Sequence, residues 1–444
     1  MSAPPRQPLT GHAVATGIVA YRASGPVTVA QFLADVDQLL ARFPAGRHIL
    51  NVCQDRYHFM VGFAAGLVSA RVSLLPATHT PETVRQLRAF AADLCVLGDG
   101  AEAGIDLPRV SYPASPAIPA AAPSVPLIAE DQVAAILFTS GSTGTPVPQQ
   151  KTWGSLCRCG RAEAERLGLA GQAIVATVPA QHSYGFESSI LVSLVGGCAA
   201  WAGRPFYPAD IAAALAAVPR PRLLVTTPFH LRTLLDSGVD LPPVDMLLSA
   251  TAPLSGKLAG AAEARCGAPL YEIYGCTEAG QLASRRTTAT ARWQLLPGVR
   301  LEQDGATTYA RGGHVEGRVP LADVIERVDD GHFLLHGRSA DLVNIAGKRT
   351  SLAFLNHQLN AIAGVDDGVF FMPDEEQEAD GITHLAAIVV APGLTPRTVR
   401  EALRQRIDPI FLPRPLLFVD RLPRNATGKL TRQDLQALLA GKAP

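Results

Sequence analysis

Apolar residues in the first part of the chain fall into short runs that alternate with segments of helical period. In residues 27–43, Phe32, Val36, Leu39 and Leu40 recur at helical spacing and predict an amphipathic helix. Residues 48–52 read as a short strand, 59–70 as a buried helix, 72–75 as a strand, 81–91 as a helix and 94–97 as a strand. The rhythm resumes with an apolar strand at 133–138, a helix at 160–167 and a strand at 173–178. Helices at 211–217, 229–237 and 256–266 then alternate with strands at 223–227, 246–249 and from 270 onward. Strands and helices in alternation predict an α/β fold with a largely parallel sheet.

Beyond residue 281 the pattern changes. Short runs at 293–296 and 332–335, separated by turns such as Asp329-Asp330-Gly331, predict antiparallel β-structure. Residues 337–341 are polar and mark a boundary. After them a helix at 352–362, a strand at 384–390, a helix at 396–407 and a strand at 416–419 make up about 100 residues, enough for a separate small α+β domain. The expected division is a large domain over 1–340 and a small one over 341–444. Residues 101–127, rich in Pro, Ala and Ser, read as an irregular excursion.

Composition narrows the function. The 444 residues are 48% hydrophobic and 18% charged, which supports large cores and argues against disorder. Lys+Arg and Asp+Glu both number 39, so no overall field favours nucleic acid. The seven cysteines show no regular framework, and the close pair Cys157 and Cys159 has no nearby His to complete a zinc set, which suits a reducing cytoplasm. Pro4, Pro5 and Pro8 oppose a signal peptide. The apolar region 185–201 carries Glu187 and falls short of a membrane span, so no transmembrane segment is expected.

Chemistry concentrates where strands stop. The run ending at Phe138 passes into Thr139, Ser140, Gly141, Ser142, Thr143, Gly144, Thr145 and Pro146. Glycines let a backbone turn its amides toward a ligand, and hydroxyls add donors, as a phosphate cradle requires. The same composition also serves a flexible linker, and it lacks the Gly-Lys-Ser/Thr ending of the common phosphate loop. Ala250 to Leu254 follows one predicted strand, and Tyr274-Gly275-Cys276-Thr277-Glu278 lies in the next segment. The three segments are expected to gather on one sheet edge. His182-Ser183-Tyr184-Gly185-Phe186-Glu187 follows a further strand and reads as a pocket wall.

Taken in order, Thr139 to Pro146, Tyr274 to Glu278, Gly337 to Asp341 and Pro423 to Lys429 resemble the adenylate-forming superfamily of acyl-CoA synthetases, aryl-acid ligases and peptide-synthetase adenylation domains. The resemblance covers almost the whole chain. It implies a large α/β N-terminal domain hinged to a mobile C-terminal domain, with MgATP and a carboxylic acid as substrates. Thr139, Ser140, Gly141, Ser142, Thr143 and Gly144 would then wrap the phosphates. Thr277 would contact the α-phosphate, and Glu278 would hold Mg2+. Thr251, Ala252 and Pro253 would meet adenine, Tyr274 would stack on it, Asp323 would accept the ribose hydroxyls, and Arg338 would add a ribose or phosphate contact. Asp341 would be the hinge, and Gly347 would border the thiol arm. Lys429 would bridge carboxylate and α-phosphate in the transition state.

The chain departs from that pattern in three places. Leu321-Ala322 replaces the customary Thr-Gly before Asp323. Asn344 replaces a Lys after the hinge. Val147 stands where the phosphate loop has Lys, leaving Lys151 as the next cation. His182, Tyr184, Phe186 and Glu187 would form a flat, partly polar wall for an aryl or medium-chain acid. The resemblance implies transfer of the acyl group to the phosphopantetheine thiol of a stand-alone acyl carrier protein, as in secondary metabolism, with coenzyme A as the alternative acceptor. Amino-acid adenylation, suggested by Phe186-Glu187-Ser188-Ser189, and a nonenzymatic nucleotide-binding remnant are the other readings.

Overall fold

The computed structural model describes residues 4–13, 17–76, 78–100, 105–119, 124–140, 146–305, 307–338, 342–345, 348–373, 385–424 and 430–441. Helices start where the sequence supplies caps. Thr28, Asp55, Thr80, Thr152, Thr227 and Ser255 each accept a backbone amide three residues on. Each such cap contributes about 1 kcal/mol.

Two sheets carry the large part of the molecule. The smaller has six strands, in the order Pro146–Thr152, Val133–Ser140, Val72–Leu75, His48–Asn51, Leu94–Gly98 and Arg109–Ser111. Its strands are parallel except for Pro146–Thr152, which folds back antiparallel on Val133–Ser140 with Ser140 opposite Pro146. The larger sheet has eleven strands. At its centre Met246–Ser249 lies parallel between Arg222–Thr226 and Leu270–Cys276, with Ala173–Ala176 beyond Arg222–Thr226 and Ala199–Trp201 beyond that. The hairpin Ile18–Arg22 and Gly25–Thr28 closes one edge of that sheet. Antiparallel strands from Gly280–Arg286 to Asp323–Arg327 close the other.

Apolar runs on the parallel strands are buried on both faces, as expected when helices cover each side. The nearly all-apolar helix Arg56–Val68 lies inside the largest core, with Phe59, Phe63 and Trp153 all almost fully buried. Residues 343–418 build a separate core around Leu355, Phe370, Val389 and Leu403. There a three-stranded sheet of Asp367–Phe371, Ala386–Val390 and Leu416–Phe418 packs with the helices Leu352–Asn360 and Pro396–Arg404. This unit touches the large one through Asp367, whose carboxylate takes Arg232 Nη1 at 2.8 Å and Arg424 Nε at 2.9 Å.

Candidate active site

The sequence-predicted segments come together from both sheets, not from one edge alone. Met246–Ser249 and Leu270–Cys276 are neighbours in the large sheet and deliver Ala250 to Pro253 and Thr277-Glu278 side by side. Thr139 and Ser140 end a strand of the small sheet. The strands before and after residues 141–145 pair antiparallel with each other in register, Ser140 opposite Pro146. Gly141, Ser142, Thr143 and Gly144 themselves lie outside the described residues, as do Asp341, Gly347 and Lys429.

Lys151 joins the two sheets. It is 7% exposed, at the buried end of an edge strand, and its Nζ donates to the carbonyl of Glu278 at 2.6 Å. The side chain that follows the Val147 departure therefore braces the Thr277-Glu278 turn. Glu278 itself is exposed and Thr277 half-buried in a three-residue connection between paired strands. Gly275 is required there, because a Cβ would come within 2.4 Å of the Gly280 carbonyl.

Tyr274 and Asp323, 49 positions apart, meet through a hydrogen bond from the phenol to Asp323 Oδ2 at 2.8 Å. The Tyr274 ring lies 5.8 Å from Trp293 and 5.5 Å from Phe333, which hold it in an aromatic cluster. Arg338 stands opposite Asp323 in the strand register. Thr251 takes a left-handed backbone, φ +79°, a conformation that costs a non-glycine residue of order 1–3 kcal/mol and is concentrated at functional sites.

The expected acyl wall separates into two kinds of residue. His182 precedes a short helical turn, Ser183–Gly185, which passes into the π-helical segment Phe186–Leu191, a form common at functional sites. A Cβ on Gly185 would fall 2.1 Å from the Pro179 carbonyl, so the turn admits only glycine. Tyr184 is buried and gives its hydroxyl to the Leu248 carbonyl at 2.9 Å, and Phe186 is in the core, edge-on to Phe63. Both side chains are committed to packing, since each ring points from the helical turn into apolar layers. Glu187 is different. It is buried, accepts from Ser183 Oγ at 3.2 Å, and burial raises its carboxyl to about 7, against the lowering influence of Lys151.

Sequence reading missed what lies behind Glu187. Glu163 is fully buried, and burial first and the Glu187 charge second raise its carboxyl to about 8. Gln281 Nε2 donates to Ser188 Oγ at 2.7 Å beside it. His314 completes the buried group and is pushed down to about 4, chiefly by burial and then by Lys151. Glu163 falls within the helix expected at 160–167, but a charged residue there reads as solvent-facing, so its inward direction was not legible.

The Glu163 proton has a consequence for stability. The folded state keeps it up to about pH 8, whereas the unfolded carboxyl loses it near 4.5. Between those values the unfolded chain binds fewer protons, so stability falls as pH rises, and the fall ends above pH 8. Glu163→Gln is expected to flatten this limb and to be more stable than wild type at pH 8, on the order of 1–3 kcal/mol. Urea melts at pH 5 and pH 8 read it directly. Equal pH slopes in the two proteins would reject the assignment.

Among the described residues, no group of three or more His, Cys, Asp or Glu could cage a metal ion. A single exposed carboxylate such as Glu278 suits Mg2+, which keeps water and phosphate oxygens as most of its ligands.

A family model described as AMP-binding enzyme matches residues 42–308. A 4-coumarate–CoA ligase of Rhodobacter capsulatus is 30% identical over 244 residues, covering 54% of this chain and 61% of that enzyme, less than two thirds of its length. A 3-hydroxybenzoate/4-hydroxybenzoate–CoA ligase of Thauera aromatica is 23% identical over 355 residues, 70% of this chain and 67% of that enzyme. In fold, the chain is similar to o-succinylbenzoate CoA synthetase from Bacillus subtilis in complex with its acyl-adenylate intermediate. The TM-score is 0.80 at 17% identity, over 97% of this chain and 98% of that one.

Proposed function

The chain belongs to the AMP-binding enzyme family, and from that we propose that it is an AMP-forming acid–thiol ligase. A carboxylate is a poor electrophile because its leaving group would be oxide. Attack of its oxygen on the α-phosphorus of ATP forms a mixed anhydride and breaks the bond to pyrophosphate. A thiol then attacks the acyl carbon, AMP leaves, and the thiol proton passes to solvent. The first step needs two anions aligned and charge stabilised around phosphoryl oxygens.

The observation that carries this reading is the contact between Tyr274 and Asp323, which joins two positions assigned to one nucleotide. Tyr274 fixes the carboxylate that would accept the ribose hydroxyls. Arg338 would approach the same sugar or the phosphates, and Thr251, Ala252 and Pro253 would supply backbone to the adenine. Thr139 to Gly144 would bind the β- and γ-phosphates, and Thr277 the α-phosphate. Glu278 would hold Mg2+, whose charge would offset that of the phosphates. Lys151 keeps that turn in place. Its buried ammonium donates to a carbonyl, which supports a bracing role and not direct contact with pyrophosphate.

The acid is proposed to be aryl or medium-chain acyl, with His182 beside its carboxylate and Glu187 toward its far end. With its carboxyl raised to about 7, Glu187 is held near neutrality and is suited to exchange hydrogen bonds with a ring hydroxyl. The acceptor is a phosphopantetheine thiol, on a free carrier protein or on coenzyme A. The two relatives named above are CoA ligases, which favours coenzyme A. The small C-terminal unit, from a hinge at Asp341, would turn between the two steps and bring Gly347 to the thiol path.

Pyrophosphate release over a panel of hydroxybenzoates, cinnamates and medium-chain fatty acids tests the first step. Release that requires both ATP and an acid is expected, and none across the panel from folded protein would sink the reading. Comparing kcat/KM for coenzyme A and a phosphopantetheinylated carrier with one acid decides the acceptor.

A further inference from the structure

A second cluster of polar groups sits where loops following strands of both sheets meet, apart from the nucleotide segments. It surrounds a small cavity of about 20 Å³ lined by Gln54, Arg56, His79, Gln181 and Arg204, room for one small polar group. Arg56 is 2% exposed. Its Nη1 donates to Ser189 Oγ at 2.6 Å and its Nη2 to the carbonyls of Ala176 and Val178 at 3.1 and 2.6 Å. Its Nε, together with Nε2 of His79 and Nε2 of the neighbouring His230, is buried with no hydrogen-bond partner among the described residues.

The charges here oppose one another. Arg204 acts on Arg56, His79 and His230, in each case against the charged form. The carboxylate that favours Arg56, Asp55, already accepts from Arg22 at 3.1 Å. Two guanidiniums crowded together, with the carboxylate that favours Arg56 already held by Arg22, gain from an added anion, and planar guanidinium suits a carboxylate or phosphate.

Topology sets the distance to the chemistry. The lining residues follow the carboxyl ends of His48–Asn51, Val72–Leu75, Ala173–Ala176 and Ala199–Trp201, and Gln181 directly precedes His182. Ala173–Ala176 stands two neighbours from Met246–Ser249 in the sheet. At 4.7–4.9 Å per strand, the strands leading to Gln181 and to Thr251 run roughly 10 Å apart, a span that one acid or thiol arm can bridge.

Resting on the ligase reading above, we propose that Arg56, Arg204 and His79 form an oxyanion subsite for a carboxylate or phosphate remote from the bond being made. The anion is either a second carboxylate on the acid or the phosphate on the thiol arm. Arg204 is exposed at the mouth, so Arg204→Ala tests the site without threatening the fold, and Arg56→Met is the buried companion.

The first probe is inorganic phosphate, measured by thermal melts against chloride at equal ionic strength. Wild type is expected to gain stability, and both variants to lose part of that gain. No gain, or the same gain in all three, overturns the site. The second measurement is kcat/KM for terephthalate against benzoate, and for coenzyme A against pantetheine. Loss of one charged hydrogen-bond set should lower one of these ratios by about 10–100-fold in Arg204→Ala. Loss of the terephthalate preference identifies the acid's carboxylate, and loss of the coenzyme A preference identifies the phosphate. Both ratios unchanged would reject the subsite. Wild type that releases no pyrophosphate, yet shows Arg204-dependent phosphate binding, would reject the ligase reading and leave the anion site standing.

Discussion

Lys429→Ala is expected to lower acid-dependent pyrophosphate release by about 10²–10⁴-fold, equivalent to roughly 2.7–5.4 kcal/mol of transition-state stabilisation. The carboxylate and the α-phosphate repel as they approach, and at the point of attack they are closest while charge builds on the phosphoryl oxygens, so a cation bridging them there acts where repulsion is greatest. A group that neutralises charge only there raises kcat without tightening ground-state binding. On the proposed reading Lys429, which follows Pro423-Arg424-Asn425-Ala426-Thr427-Gly428 in the sequence, would serve the first step and be carried away before the thiol enters. Thioester formation from a supplied acyl-adenylate should therefore change far less. Gly347→Leu should show the opposite bias, slowing transfer while sparing the adenylate. Rapid-quench measurement of each half-reaction separates the two variants. Equal losses in both steps for each of them, with folding intact, would end the two-conformation account.

Much of the α/β core was legible because buried strands carry near-continuous apolar runs. The strands at 48–51, 72–75, 94–98 and 246–249 lie within a residue of their expected limits. Edge elements were not. Pro146–Thr152 contains Pro146, Pro148 and two glutamines and reads as loop. As an edge strand it tolerates prolines whose missing amides face away from the ladder. The helix after it begins at Trp153, seven residues before the expected start, because Gly154 and Cys157 obscured a first turn that Thr152 caps. Arg109–Ser111 adds a parallel strand inside the stretch expected to be irregular.

The site was legible where a motif is contiguous and opaque where a partner is distant. Thr277 and Glu278 could be placed from a few adjacent letters, and the turn that carries them is there. Nothing local in the sequence indicated that Lys151 would reach the Glu278 carbonyl across 127 positions, or that Glu163 would stand behind Glu187. Tyr184 and Phe186 illustrate the converse error. Aromatics next to a polar strand end look like a pocket wall, yet the helical turn after His182 directs both rings into packing.

Asp367→Ala is expected to cost about 3 kcal/mol of stability, near the lower end for breaking one side of a buried ion pair. The Asp367 side chain is 11% exposed and accepts Arg424 at both carboxylate oxygens, 2.9 Å each, as well as Arg232 at 2.8 Å. Removing it takes the shared counter-charge from Arg232 and Arg424. Arg232 is 40% exposed and can recover water, while Arg424, at 24%, recovers less, which keeps the loss from the upper range. Burial raises the Asp367 carboxyl, but the Arg424 hydrogen bonds and charge, followed by Arg232, outweigh it, and the net position is below the usual carboxylate value of 3.8. The stabilisation is therefore present above pH 3.8 and is lost as pH falls through the lower folded value, so Asp367→Asn should flatten the acid limb. Arg232 comes from the helix Pro228–Asp236 of the large unit, and Arg424 lies five residues before Lys429. One carboxylate thus ties Arg232 of the large unit to Arg424, which precedes the proposed catalytic lysine in the sequence. Urea melts should show the loss in Asp367→Ala and a smaller one in Arg232→Ala, and the Asp367 variant should also slow adenylation. A change under 0.5 kcal/mol in Asp367→Ala, with an unaltered acid limb in Asp367→Asn, would show that the contact does not hold the units together.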